Sequence, residues 1–543
     1  MNRTYDIVVI GGGPNGLLSA GYLAKAGLSV LVLERRHEMG GGAATEEVTG
    51  TARARINAHA FFMMMVDYAP AYQDLDLMGR YRLDHIYPEL QCCMPFADGN
   101  SICLYSDVER TMKSFSQYSQ KDADAYKELT QISERFMKAF IGPATYVQPL
   151  AALDQVLKLG QSDVGKEMEE YNVKSPETII NDWFESPQVK ALLLHNVCMW
   201  GLDPRQDGLG YLVPLYLNRM YNYRMLRGGT HTLAQALMKV VMENGGKLMT
   251  SVLPTEIVVE DGKAKGVKLE DGRYFEATKG VVSTIDTEQT FLELIDKENL
   301  DEDFRESTES WQWEHWGFLG THLALRDAPQ LKIAEKDPEL AKALYYVIGH
   351  ETAEDFLEHY DKVGEGKCDL DDGYVAVMPT VHDEMQKPLT GEHVLTMWKM
   401  APYELDGDYN NWYSLKKKEE HAMGFVNVMQ KYAPNVNEDN IRNIYVSTPA
   451  EYSDKFRDMK KGSIKQGAYL PLQMGFMRPN EYCSTHRSPI EGLFMGGACT
   501  YPGGTILLAN GYLAADAVCE DLGIEKWWTE PDHVKAAREN GLL

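Results

Sequence analysis

Asp6-Ile7-Val8-Val9-Ile10-Gly11-Gly12-Gly13-Pro14-Asn15-Gly16 is the stretch on which the fold turns. Ile7 to Ile10 is a β-branched run of the kind that forms a buried strand. Leu17 to Leu28 then carries a helical pattern, and Ser29 to Leu33 is a second strand that delivers Glu34 eighteen residues after Gly16. G-x-G-x-x-G therefore sits at the turn of a strand–helix–strand unit, the context in which the motif carries chemistry. Gly11 permits the tight turn, Gly13 lets backbone approach a pyrophosphate, and Gly16 lets helix and strand pack closely. Pro14 and Asn15 open the helix, whose free N–H groups and positive dipole end suit phosphate. Glu34 can accept hydrogen bonds from ribose hydroxyls. A bare glycine turn would account for the glycines, but strand, helix and acid are all in place, so the motif is read as dinucleotide binding.

Arg35-Arg36-His37-Glu38-Met39-Gly40-Gly41-Gly42-Ala43-Ala44-Thr45 follows. NAD does not need a second glycine cluster, whereas a longer, folded-back cofactor such as FAD needs backbone to pass its flavin end too. Arg35 and Arg36 would suit an NADP 2′-phosphate, but Glu34 opposes that charge. FAD is the cofactor expected.

The remainder sets bounds. At 543 residues the chain has room for about two to four domains and a large core. Its formal net charge of −26 argues against nucleic acid or an anionic bilayer as partner, since both need clustered Lys and Arg. The eight cysteines form no C-x-x-C pair and no zinc-ligand spacing, which points to a reducing cytoplasm and no metal. Asp369-Leu370-Asp371-Asp372-Gly373 lacks the sixth-position glycine of a calcium loop and reads as a solvated turn. The first strand begins by Tyr5, which leaves no room for a signal peptide, and no apolar run approaches the roughly 18 residues of a spanning helix.

Beyond the fingerprint, residues 71–214 are rich in amphipathic helical pattern, such as Ala123 to Phe140. Arg227-Gly228-Gly229-Thr230 opens a helix at Leu233 to Glu243, and Lys247 to Val259 and Gly266 to Leu269 read as strands broken by acid–glycine turns. Gly280 to Ser283 is a further strand, leading into a helix near Glu288. Residues 301–464 mix strands (Gly373 to Met378, His393 to Met400) with a helix (Ser414 to Tyr432). Near the carboxyl end, Gly492 to Ala498 is a strand, and Thr500-Tyr501-Pro502-Gly503-Gly504-Thr505 is expected to start a helix over Ile506 to Leu522. The fold class is α/β, a Rossmann-type nucleotide domain with an inserted α+β domain.

In order and residue type these segments resemble the phytoene desaturase and carotenoid isomerase-like flavoproteins of the flavin amine oxidase superfamily. Leu33-Glu34-Arg35-Arg36-His37 with Thr45-Glu46-Glu47 is similar to the subgroup of pyridine nucleotide-disulfide oxidoreductase domain-containing protein 2. The framework matches extend over most of the chain, while strong motifs cover about a quarter of it. The resemblance implies noncovalent FAD in a three-part, glutathione reductase-like domain (1–70, 215–300 and 465–543) and a substrate domain from 71–214 and 301–464. It implies that Gly11, Gly13 and Gly16 face the pyrophosphate and that Glu34, beside Arg35, holds the adenosine ribose. It also implies that Gly41, Gly42 and Ala43 line the phosphate and flavin region, with the strand end at Ser283, Gly497, Ala498, Thr505 and Ile506 completing the site. Three positions depart from the pattern. Gly42 stands where many desaturases have arginine, Tyr501 where a histidine is common, and Pro254 where a valine packs near the adenine.

The chemistry expected is hydride transfer from C–H to flavin N5, that is, dehydrogenation or desaturation. A helix starting near Thr505 would stabilise charge on the reduced ring. A second nucleotide fingerprint is missing, so electrons go to oxygen, a quinone or a protein carrier, unless the reaction is a redox-neutral isomerisation or hydration. The acid–base candidates are His59, with a near-neutral pKa, and Tyr501, with Asn57 and Tyr223 as further catalytic candidates. A lone histidine is more often structural. The 26 methionines, including Met63-Met64-Met65, suit an irregular apolar ligand as well as they suit core filling. Residues 351–385 hold 11 acids against two lysines. Such a surface is repelled by anionic lipid, which favours a small apolar, isoprenoid-like or alicyclic substrate taken from solution over a membrane-dissolved chain. Amine oxidation and a non-catalytic flavin-binding role are the other readings; oligomerisation is open.

Overall fold

The structure is a computed structural model that describes residues 3–543. Strand Thr4–Ile10 lies between parallel partners Val30–Leu33 and Tyr274–Ser283. Lys247–Met249 continues the sheet beyond Val30–Leu33, while Leu493–Met495 pairs the carboxyl end of Tyr274–Ser283. The antiparallel hairpin Pro254–Glu260 and Lys263–Leu269 completes seven strands drawn from three separated stretches of chain. Side chains alternate between two cores, as strand geometry requires. Ile7, Val9, Val30 and Val32 pack with the helices Pro14–Lys25, His231–Glu243 and Ala509–Asp521. Val8, Ile10, Leu31 and Leu33 pack with Ile257, Phe275 and Phe291 on the other face. With both faces covered, the strands read as unbroken apolar runs.

A second seven-stranded sheet runs in the order Ile441–Ser447, Trp316–Leu325, His393–Pro402, Tyr374–Val377, Tyr345–Ile348, Leu90–Pro95 and Ser101–Tyr105. A small three-stranded sheet, Phe62–Met63, Arg224–Leu226 and His85–Ile86, lies apart from both. Among the described residues no helix is long and apolar enough to cross a membrane.

Three elements differ from the sequence expectation. Lys247 to Val259 is two strands in different parts of the sheet, because Ser251 has φ +57° and Pro254 opens the second. The Ala123–Phe140 pattern is a helix from Gln120 to Phe136 that loosens into a wider turn at Met137–Ile141. The last long helix begins at Ala509 and not near Thr505, because Thr505, Ile506 and Leu508 have φ of +70°, +54° and +62°. Residues 505–508 are thus a left-handed loop, costly for non-glycine residues and maintained only by its surroundings.

Six histidines inside these cores fix an acid limit. Burial lowers the pKa of His59, His195, His322, His350, His359 and His486, to about 3 for His195, His322 and His486. Above the unfolded value of about 6.5 these rings are neutral in both states. Below it the unfolded chain takes up protons that the native chain refuses, so stability falls as pH drops toward the folded values. Asp286, raised to about 6, and Asp458, raised to about 8, act in the opposite sense, but two carboxyls face six imidazoles. The urea midpoint is expected to fall between pH 7 and pH 5 by the equivalent of several kcal/mol. A midpoint that stays level across that range would show these rings to be hydrated.

Candidate active site

A cleft of about 370 Å³ opens beyond the carboxyl ends of Thr4–Ile10, Val30–Leu33 and Tyr274–Ser283. This is where doubly wound sheets bind ligands. Gly11, Gly13, Pro14, Asn15 and Gly16 line it on the fingerprint side, with Glu34 and Arg35 at one end. Gly41, Gly42, Ala43, Ala498, Thr505 and Ile506 carry it onward. Leu253, Pro254 and Thr255 wall the Glu34 end.

The residues fit a dinucleotide. Glu34 is fixed by accepting from the backbone N–H of Gly12 (2.8 Å) and Arg36 (2.7 Å) while still lining the cleft. Asn15 Oδ1 is buried in the cleft wall without a partner. A Cβ at Gly16 would lie 2.0 Å from the Gly11 carbonyl oxygen, so only glycine brings the helix start this close to the strand end. Arg35 donates to the Lys455 carbonyl, and Arg36 pairs with Glu38 and Glu46 at 3.0 Å each.

Two expected cofactor residues lie behind this wall. Ser283 Oγ is 2.7 Å from Thr290 Oγ1 in the core, and Thr284, one residue later, lines the cleft, its hydroxyl donating to Ile10 O (2.9 Å) and Gly11 O (3.2 Å). A Cβ at Gly497 would meet Thr284 O, Gln466 Oε1 and Ile285 O within 3 Å, and it is Ala498 that lines the cleft. The sequence reading also missed one wall. Phe456, Arg457, Asp458, Met459 and Ile464, from a stretch expected to serve the substrate alone, face the fingerprint across the cleft. Burial, with Asp286 and Glu34 nearby, raises the Asp458 pKa to about 8. Nothing in the local pattern of Phe456 to Ile464 marks it as a wall.

Two apolar cavities adjoin the far end of the cleft. One, about 120 Å³, shares Gly42, Met459, Ile464, Thr505 and Ile506 with it and is otherwise walled by His59, Phe61, Phe62, Trp200, Phe318 and Tyr452. The other, about 400 Å³, shares Met64 and Thr505 with the first and is lined by Phe140, Tyr211, Leu212, Met474, Met477 and Tyr501. Met63, Met64 and Met65 are all buried, and Met64 faces both cavities.

The catalytic candidates separate. His59 lines the aromatic cavity, but its pKa is not near neutral. Burial, then Lys455 and Arg36, push it well below the usual histidine value. Tyr501 lines the larger cavity with its hydroxyl donating to Ala144 O at 2.6 Å, and burial raises its pKa. Asn57 is withdrawn from both cavities, because Oδ1 accepts from Thr45 Oγ1 and the Thr230 N–H while Nδ2 donates to Gln386. Tyr223 is screened by Phe62, whose ring stacks on it at 5.0 Å. Among the described residues no group of His, Cys, Asp and Glu could hold a metal ion.

A dinucleotide cleft that opens onto an apolar chamber defines a Rossmann-type oxidoreductase. The family model for NAD(P)-binding Rossmann-like domains matches residues 9–76. The chain is 37% identical to one of the subunits of limonene dehydrogenase from Castellaniella defragrans, over 99% of this chain and 98% of that one. It is 26% identical to pyridine nucleotide-disulfide oxidoreductase domain-containing protein 2 of Rattus norvegicus, over 95% and 94%. In fold it is similar to cyclohexylamine oxidase from Brevibacterium oxydans, with a TM-score of 0.59 at 14% identity over 96% and 99%. The chain belongs to the phytoene desaturase and carotenoid isomerase-like flavoprotein oxidoreductases, in company with the limonene dehydrogenase chain.

Proposed function

We propose that the chain is an FAD-dependent dehydrogenase that removes hydride from a C–H bond of a small apolar, alicyclic or isoprenoid-like molecule. The observation that carries this reading is the junction at Thr505, which lines both the nucleotide cleft and an apolar chamber of about 400 Å³. That volume falls in the range of about 300–1,000 Å³ common for small-molecule sites. Residues 1–70, 215–300 and 465–543 would hold FAD, and 71–214 with 301–464 the substrate, apart from the Phe456–Ile464 wall. Bound FAD supplies the hydride acceptor; the chain supplies the cradle, the apolar wall and exclusion of water. The name of the 37% identical relative supports a limonene-like substrate and a place in a complex with a different chain. An external acceptor such as oxygen, a quinone or a protein carrier would reoxidise the flavin. The setting proposed is cytoplasmic.

The test is anaerobic. Limonene added to the flavin-loaded protein is expected to bleach the flavin and to yield a product two hydrogens lighter, whereas cyclohexylamine leaves the colour intact. Bleaching by the amine alone would make the protein an amine oxidase, and an unchanged product mass or a gain of water would make it an isomerase or hydratase.

A further inference from the structure

We propose that His59 is the proton acceptor of this oxidation, that Nδ1 is the working atom, and that Glu46 is its positioning residue. The inference rests on the dehydrogenase reading. His59 lines the aromatic cavity, which shares Gly42, Thr505 and Ile506 with the nucleotide cleft and Met64 and Thr505 with the larger apolar chamber, so a substrate in that chamber can reach into it. Its two ring nitrogens have different surroundings. Nε2 is buried without a hydrogen bond, with a Glu46 carboxylate oxygen 3.9 Å away. Among the described residues Nδ1 makes no hydrogen bond either, and the cavity that this ring lines is the aromatic one. A carboxylate on the Nε2 side favours the tautomer with hydrogen on Nε2, which leaves the lone pair on Nδ1 as the ring's acceptor.

The ring is clamped and kept neutral. Tyr452 and Phe456 meet it edge-on at 4.7 and 4.3 Å. Glu46 is held in turn by Arg36 at 3.0 Å and by Lys455. The charged and titratable groups facing His59 are Glu46, Lys455, Arg36, His322 and Tyr452; burial keeps the tyrosine protonated, and Lys455, Arg36 and His322 oppose protonation of the imidazole, as burial does. The other three candidates are worse placed, because Tyr501 is tied to Ala144, Asn57 is saturated, and the unpartnered Tyr223 hydroxyl belongs to a ring that lies behind Phe62 and lines neither cavity.

A weak base suffices for the chemistry. With FAD bound as the oxidant, one C–H bond would break and its electron pair would leave as hydride to it. The carbon left behind is electron-poor, and a hydrogen on the neighbouring carbon becomes strongly acidic. That second C–H bond breaks, its pair forms the new C=C bond, and the proton goes to Nδ1. Glu46 then balances the imidazolium until the proton leaves to solvent. Phe61, Phe62, Trp200 and Phe318 line the same space, and an aromatic wall is compatible with passing positive charge.

His59→Gln and Glu46→Gln, each checked for flavin content and urea midpoint, test the assignment with limonene as substrate. His59→Gln is expected to lower kcat about 100-fold with KM within about threefold, the scale of a lost general base. Wild-type kcat/KM is expected to stay level from pH 8 down to 6.5, and ¹⁵N spectra of the imidazole to show hydrogen on Nε2 alone. Glu46→Gln is expected to mix the tautomers and to lower kcat about tenfold. A His59→Gln variant within threefold of wild-type kcat, hydrogen on Nδ1 in the wild type, or an acid limb at or above pH 6.5 overturns the proposal while wild-type oxidation of limonene leaves the dehydrogenase reading standing. A wild type that oxidises neither limonene nor other alicyclic alkenes fails that reading, and the inference with it.

Discussion

Gly16→Ala is expected to purify without flavin. A Cβ at this position would lie 2.0 Å from Gly11 O and 2.8 Å from Thr284 Oγ1, and the first of these is backbone of the central strand's turn. Neither partner is the far end of a flexible side chain, so the helix must move away from the strand and take its N–H groups out of register with the phosphates. Gly13→Ala makes the informative comparison. Its Cβ would meet nothing nearer than Gly41 Cα at 3.9 Å, so the empty protein has room for it. Gly13→Ala should therefore keep the wild-type urea midpoint and lose flavin only because the methyl occupies the space reserved for pyrophosphate. Gly16→Ala should lose both. The expected fall in FAD affinity for Gly16→Ala is at least about 100-fold, or roughly 2.7 kcal/mol, measured by fluorescence titration of the apoprotein. Wild-type affinity in Gly16→Ala would mean that the helix start is not the phosphate cradle. Wild-type affinity in Gly13→Ala would mean that no pyrophosphate passes there.

What could be read in the sequence was what local spacing determines. Ile7 to Gly16 with Glu34 is one continuous unit whose residue types each answer to a single turn, and the cleft forms on it. The Phe456–Ile464 wall could not be read, because some 420 residues separate it from Arg35, which it meets through the Lys455 carbonyl. Ser283 failed by one position. Its hydroxyl turns into the core toward Thr290, and the chain leaves the sheet so that Thr284 faces the cleft. The helix expected near Thr505 failed because the left-handed run at Thr505, Ile506 and Leu508 is enforced by packing that no propensity records. His59 was a candidate by position alone. Its pKa is lowered first by burial and then by Lys455, which ion pairs with Glu46 from some 400 residues along the chain.

Lys465→Met is expected to cost about 3–5 kcal/mol of stability, the usual penalty for stranding one partner of a buried ion pair. Lys465 and Glu314 are bonded to each other with side chains 0% and 4% exposed, and Glu314 Oε2 already lacks a partner. Without the lysine, the carboxylate is left charged in the core or must be protonated there. The matched double variant Lys465→Met/Glu314→Leu removes both charges and should recover most of the loss, because a buried pair is often no more stabilising than apolar residues of similar volume. Urea midpoints of the four proteins decide this, and a single variant within about 1 kcal/mol of wild type would show that water reaches the pair. Activity should follow a different order. Lys465 Nζ lies 4.8 Å from the centre of the Tyr469 ring, and the Tyr469 hydroxyl accepts from the Gly504 N–H at 3.1 Å. Gly504 also rests against the Lys465 stem, where a Cβ would meet Lys465 Cβ at 2.4 Å. The lysine therefore supports the turn that precedes Thr505, a residue lining the cleft and both apolar cavities. The double variant should regain stability while keeping a raised KM, because leucine and methionine can fill the core but leave Tyr469 with the Arg478 guanidinium alone, 5.1 Å from its centre, and remove the lysine stem that Gly504 rests against.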